Sequence, residues 1–193
     1  MSSHHIIREN QEPALLIENL SGIDTESLGQ LLEWSPRVVV KDTVLREILT
    51  LEIHVDLVFY PANDMPVRDL QAGSMLKPYS EDFITEALSY LKTIGTNEVH
   101  LIGSLNLLNQ LNEINHTLVT LFAEHKKFYK VSSGFSKWLP KNEEIHLPVP
   151  ETSIQTTGLI RMSDTLYKTC EDGLFHIYFE NRNTLILGEN NSC

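Results

Sequence analysis

Apolar and polar positions alternate in blocks along this chain, and the blocks predict a run of strands and helices before any single residue is considered. The segment from Arg37 to Tyr60, RVVVKDTVLREILTLEIHVDLVFY, carries the clearest pattern. An apolar run ends at Asp42, a short amphipathic stretch follows, and a second apolar run begins at Val55. That is the signature of a β-α-β unit. Val38, Val39 and Val40 are apolar on both faces, which suits the middle of a parallel sheet covered by helices on both sides.

The same reading extends in both directions. Pro13 to Asn19 predicts a buried first strand, and Thr25 caps a helix through Trp34 that Pro36 stops. Pro61 to Pro78 holds three prolines, Gly73 and no clean period, so it reads as a long loop at the carboxyl end of the third strand. Ligands gather at that edge in open α/β sheets, which makes the loop a candidate site or lid. A helix follows from Ser80 or Glu81 to Ile94, then a strand from Glu98 to Ser104. Leu107, Leu111, Ile114, Leu118, Leu121 and Phe122, spaced by fours and threes, predict one long helix over Leu105 to Lys127. Phe128 to Ser133 is a fifth strand.

Beyond Trp138 the pattern changes to short β-rich runs alone: Glu144 to Val149, Thr152 to Arg161, Leu174 to Glu180 and Thr184 to Leu187. Asn181-Arg182-Asn183 reads as a hairpin turn between the last two. The fold class expected is therefore α/β, a Rossmann-like parallel sheet with flanking helices over 1–140, followed by a small, truncated all-β, sandwich-like domain over 141–193.

Composition narrows the partners. With 15 basic against 26 acidic residues the chain carries a formal charge of −11, which argues against nucleic acid or anionic lipid. No apolar run is long enough for a membrane span and no signal peptide is recognisable, so the expected location is cytoplasmic. Cys170 and Cys193 read as reduced thiols, and His4-His5 as a surface pair. Gly-x-Ser-x-Gly, Cys-x-x-Cys and His-x-x-x-His are absent.

Five segments together resemble the thiamine pyrophosphokinases: SSHHIIRENQEPALLI at the start, GQLLEWSPRVVVKD, EIHVDLVFY, INHTLVTL and IQTTGL. The resemblance implies transfer of a pyrophosphoryl group from ATP to thiamine with release of AMP. It also implies Mg²⁺, and a homodimer with sites formed between subunits. Mg²⁺ bound with ATP needs hard carboxylate oxygens. By the resemblance Asp42 matches the family's first carboxylate, Asp56 the acid within the approach of the third strand, and His116 the family's histidine.

Elsewhere the pattern departs. Where the family reads Gly-Asp-x-Asp, this chain reads Phe59-Tyr60-Pro61-Ala62-Asn63, with Asp64 just beyond. Phe83 stands at the position of the family's Thr-Asp acid, with Asp82 one residue early, and one residue turns a helix by about 100°. Glu113-Ile114-Asn115-His116 replaces Arg-x-Asp-His, reversing the charge offered to phosphate.

The candidate site is thus Asp42, Asp56, Asp64, Asp82 and His116, with Asp42 and Asp64 as metal ligands. The reading expected is a thiamine pyrophosphokinase-like protein whose catalysis is lost or repurposed for binding. It would form a homodimer and retain thiamine or a nucleotide as a possible ligand. The alternative is an active enzyme using Asp42, Asp64 and Asp82 in an altered Mg²⁺–ATP site. Each acid also has a plain structural role: helix N-cap for Asp42, turn residue for Asp64, first-turn helix acid for Asp82, and polar helix residue for His116.

Overall fold

Ala14–Ile17 forms strand β1, buried at all four positions, and its apolar side chains divide between the two faces of a sheet. A computed structural model describes residues 12–33, 36–64, 70–114, 117–148, 153–180 and 182–191. Helix α1 (Thr25–Leu32) is capped by Asp24, whose carboxylate accepts from the Ser27 amide at 2.7 Å; Thr25, expected as the cap, is the first helical residue. Strand β2 (Val38–Lys41) passes directly into helix α2 (Asp42–Thr50), and β3 (Leu57–Pro61) lies parallel to β2.

The expected loop from Pro61 to Pro78 contains a further strand, β4 (Met75–Tyr79), parallel to β3. Pro78 hid it, because proline removes a ladder donor. The strand tolerates Pro78 because β4 is the edge of the sheet, with β3 as its one neighbour among the described residues. Helix α3 (Phe83–Thr93) and strand β5 (Glu98–Ile102) follow as expected.

The long helix over Leu105 to Lys127 is not formed. A turn of 3₁₀ helix (Leu105–Leu107) and α4 (Leu108–Glu113) use the first leucines, and Leu118–Ala123 is strand β6, parallel to β5. The later apolar residues fit a period of two as well as one of 3.6: Val119, Leu121 and Ala123 face one core, Phe122 the other. The β-branched Val119 and Thr120 favour the strand. Glu124 and His125, at φ of 49° and 58°, then turn the chain into the antiparallel β7 (Lys126–Ser132).

Strand β8 (Phe135–Leu139), β9 (Glu144–His146), β10 (Ile154–Thr157), β11 (Leu159–Arg161), β12 (Leu166–Thr169), β13 (Gly173–Phe179) and β14 (Thr184–Asn190) complete the chain. Eleven strands make one sheet in the order β11-β12-β9-β14-β7-β6-β5-β1-β2-β3-β4, parallel from β6 to β4; β10-β13-β8 make a separate antiparallel sheet. The hairpin expected at residues 181–183 does not pair β13 with β14. Asn181 lies outside the described residues, and β13 and β14 belong to different sheets.

Three cores hold this together. The helices α3 and α4 cover one face of the parallel strands, with Phe59, Leu88 and Leu91 fully buried between them. On the other face, α1 and α2 pack Leu28, Val44, Leu45 and Ile48 onto Leu15, Ile17 and Val40. The third core lies between the small sheet and the antiparallel end of the large one, built on Phe175, Ile177, Ile145, Leu185 and Leu187.

Candidate functional site

Because β1 to β4 step outward in one direction and β5 returns on the far side of β1, the strand order reverses between β1 and β5. In open α/β sheets ligands enter the crevice at the carboxyl ends of strands at such a point. Glu18 and Asn19 follow β1 there, and Gly103 and Ser104 follow β5. Asn19 Nδ2 donates to Glu18 Oε2 at 3.0 Å, and a Cβ on Gly103 would come within 3.0 Å of that same oxygen. A larger residue there would push the Leu107 and Glu18 side-chain ends aside. Glu18 was not among the expected site residues, although its signal, an acid directly after an apolar run, is the one that marked Asp42.

Asp42 sits at the same edge, one strand over. No loop separates β2 from α2, so the carboxylate is held where strand becomes helix. It does not act as the N-cap, a position held by Lys41 without a side-chain bond. Its Oδ1 is buried and has no hydrogen-bond partner, which is uncommon for a buried carboxylate oxygen.

Asp64 lies in the turn after β3. Its amide donates to the Pro61 carbonyl at 2.9 Å, and Ala62, Asn63 and Asp64 are all exposed. Asp82 is the N-cap of α3: Oδ2 accepts from the Thr85 amide at 2.8 Å and Oδ1 from Gln110 Nε2 at 3.3 Å. Glu86 reaches back to accept from the Ser80 and Glu81 amides at 2.6 and 3.1 Å. These bonds fix the entry into α3.

Tyr79, the last residue of β4, brings the three acids into one field. Burial pushes its hydroxyl above the ordinary tyrosine range, and the charges of Asp42, Asp64 and Asp82 push it further. The phenol therefore stays protonated at neutral pH. Its ring packs on Phe83 with centroids 6.0 Å apart, and the Tyr79 carbonyl accepts from the Ala62 amide at 2.8 Å. Lys77, two residues earlier on β4, holds its ammonium 5.0 Å over the Tyr90 ring.

Asp56 is at the opposite end of the sheet. It precedes β3, and its carboxylate accepts from the Val38 amide at 2.8 Å while its own amide donates to the Val38 carbonyl at 3.0 Å. The β2–β3 register sets Asp42 level with Tyr60, four residues and roughly 13 Å along the strand from Asp56. Asp56 therefore ties two strands together and does not join Asp42. His116 and Asn115 lie outside the described residues; Glu113 closes α4 and is exposed.

Asp82 has both oxygens engaged, Asp64 is exposed in a turn, and among the described residues no group of three or more His, Cys, Asp or Glu is placed to hold a metal ion. What the edge offers is negative potential around a protonated phenol, with one buried oxygen unsatisfied.

No family model matches the sequence, and no curated protein matches it significantly. Solved structures do match. Thiamine pyrophosphokinase from Bacillus subtilis superposes with a TM-score of 0.64 at 10% identity, over 93% of this chain and 100% of that one. Thiamin pyrophosphokinase from Geobacillus thermodenitrificans gives 0.61 at 14%, over 93% and 98%, and the yeast thiamin pyrophosphokinase 0.65 at 10%, over 95% and 87%. The chain has the thiamine pyrophosphokinase fold across its length.

Proposed function

We propose that this thiamine pyrophosphokinase-like chain keeps the fold without the pyrophosphoryl transfer, and works by binding. The observation that carries this reading is the turn after β3. From Tyr60 to Asn63 it offers no carboxylate where the family sets its pair, and the Pro61 carbonyl is spent closing the turn on the Asp64 amide. Loss of a paired metal carboxylate removes several kcal/mol of transition-state charge stabilisation. Each 1.36 kcal/mol is about a factor of ten in rate.

The other acids add to the case. Asp82 serves as a helix cap and Asp56 as a strand tie, so each carboxylate already has a structural task. On this reading the parallel strands β1 to β6 with their helices are a Rossmann-like unit, and β7 to β14 a β domain that once completed a thiamine site; the division falls before β7 and not at the expected 140, since β7 pairs with β14 and β8 with β13. The chain pairs with itself, resides in the cytoplasm, and retains thiamine or a nucleotide as a ligand without Mg²⁺-dependent turnover.

A second reading, an active enzyme with Asp42, Asp64 and Asp82 in an altered Mg²⁺–ATP site, is favoured by one observation. All three carboxylates act on the Tyr79 hydroxyl, so they share one region. A Mn²⁺ titration followed by electron paramagnetic resonance separates the two. The first reading expects no saturable site with ATP absent or present beyond the nucleotide's own; a stoichiometric protein site abolished by Asp42→Asn would overturn it.

A further inference from the structure

Strands β6 and β7 begin as a hairpin and then part. Ala123, Phe122 and Leu121 pair with Lys126, Lys127 and Phe128, and the ladder between the two strands stops there. Neither strand ends at that point. β6 stays paired to β5 back to Leu118, and β7 stays paired to β14 on to Ser132. The next hydrogen-bonded rung in this register would join Val119 to Lys130, and it is not made. Lys130 turns its ammonium onto the Asn112 and Ile114 carbonyls at 2.8 and 2.6 Å, which holds the end of α4 beside the parting strands. The large sheet is thus split in its interior, at the amino-terminal ends of β5 and β6 and opposite the edge that carries Asp42.

The split encloses a cavity of about 410 Å³, a volume that suits a small ligand. Its apolar wall is built from Leu111 and Val119, both buried, and the partly buried Ile114. Thr117, Ser132 and Thr184 line it with hydroxyls. Thr117 Oγ1 is shut away from solvent and has no hydrogen-bond partner among the described residues. Such a group is costly to leave unpaired, so an occupant that bonds it is favoured. Charge narrows the occupant further. Glu98 lies exposed at the rim and repels an anion, while the Lys130 ammonium is engaged by carbonyls. A cation would pair with Glu98 only in solvent, where the pair is worth little, and would lose its hydration against the apolar wall. An uncharged ligand meets neither obstacle. Strands that have parted turn N–H and C=O groups toward the gap at every second residue, and the group that matches both is another amide.

We propose that the split between β6 and β7 is a binding site for a small uncharged amide with a branched apolar side chain, an extended peptide unit that takes the place of the missing rung. The site is separate from the carboxyl edge and does not depend on what binds there. N-acetyl-leucinamide tests it, titrated into the isotopically labelled full chain and followed by heteronuclear NMR. The expected result is saturable shifts confined to the amides of residues 117–120 and 129–132. N-acetylglycinamide, which keeps the amides and lacks the side chain, is expected to bind about tenfold more weakly. Thr117→Val removes the hydroxyl at nearly constant shape and is expected to weaken binding about three- to tenfold. Ser132→Tyr, at an exposed position, fills the mouth and abolishes the shifts, while the rest of its spectrum stays that of the wild type. Absence of saturable shifts, shifts centred on Asp42 and Tyr79, equal affinity for the two amides, or binding that survives Ser132→Tyr would each overturn the assignment.

Discussion

Gln110 of α4 donates from Nε2 to Asp82 Oδ1 at 3.3 Å, so the acid that precedes Phe83 ties together two helices. Its second oxygen caps α3 through the Thr85 amide. If Asp82 is structural, removing the cap should cost about 1 kcal/mol, while Asn, an equally good N-cap, should cost little. Urea denaturation of Asp82→Ala and Asp82→Asn measures this. A large loss in the Asn variant would show that the charge, not the cap, is what the site needs.

Glu189 on β14 is 6% exposed at its side chain and holds three partners. Lys137 Nζ donates to both carboxylate oxygens at 2.5 and 2.7 Å, Lys127 Nζ lies 3.4 Å away, and the Tyr129 hydroxyl donates at 3.2 Å. Burial pushes the Tyr129 hydroxyl well above its ordinary range, and the Glu189 charge adds to it, so the phenol remains a donor. Both lysines keep about a third of their side chains in solvent, which limits the penalty when the carboxylate is lost. Glu189→Gln is expected to destabilise by about 1–3 kcal/mol in chemical denaturation. A change within experimental error would mean that the cluster merely fills space.

Gly158 carries the chain from β10 in the small sheet to β11 in the large one, at a φ of +76°. A Cβ there would lie 2.9 Å from the Leu174 carbonyl oxygen and 3.1 Å from Phe175 Cα. Both neighbours are backbone and cannot swing aside. Gly158→Ala is therefore expected to cost about 1–3 kcal/mol, seen as a lowered thermal midpoint. An unchanged midpoint would contradict the close crossing of the two sheets.

Stability should fall on the acid side of neutrality. Burial holds the His100 imidazole below its usual value, with Glu98 opposing; burial and the Lys126 charge do the same for His146, with Glu144 opposing. Each folded imidazole resists a proton that the unfolded chain accepts from about pH 6.5 downward, so the unfolded state is favoured as pH drops below that value. The depressed carboxyls of Asp24 and Glu144, held down chiefly by bonds to the Ser27 amide and to Lys168, extend the loss below about pH 4. Thermal midpoints at pH 7.5 and 5.5 should differ, and His100→Gln should reduce the difference. A midpoint that rises on acidification would reverse the sign and refute this.

Much of the parallel half could be read from the chain because its signals were local. Val38 to Val40 are apolar on both faces, and Asp42 ends the run with no loop residues to blur the edge. The misread segments were those in which two periods fit the same residues. Leu107 to Phe122 satisfies a helical spacing, and only the β-branched Val119 and Thr120 point to a strand. Pro78 masked β4 because an edge strand tolerates what a central strand does not. At the site, Asp42 was legible by position and Glu18 carried the same signal, whereas Tyr79 joined the acids through the β3–β4 pairing, which no local pattern encodes. Asp56 was placed with the wrong group because sequence proximity to β3 does not tell which end of the strand a residue occupies.

Turnover decides the central claim. Purified chain at high concentration is incubated with thiamine, ATP and Mg²⁺, and thiamine diphosphate and AMP are followed by chromatography beside an Asp42→Asn control. The expected result is no product above the protein-free background from a folded sample. Equal amounts of thiamine diphosphate and AMP, lost in the Asp42→Asn protein, would contradict it and return the carboxylates around Tyr79 to catalysis.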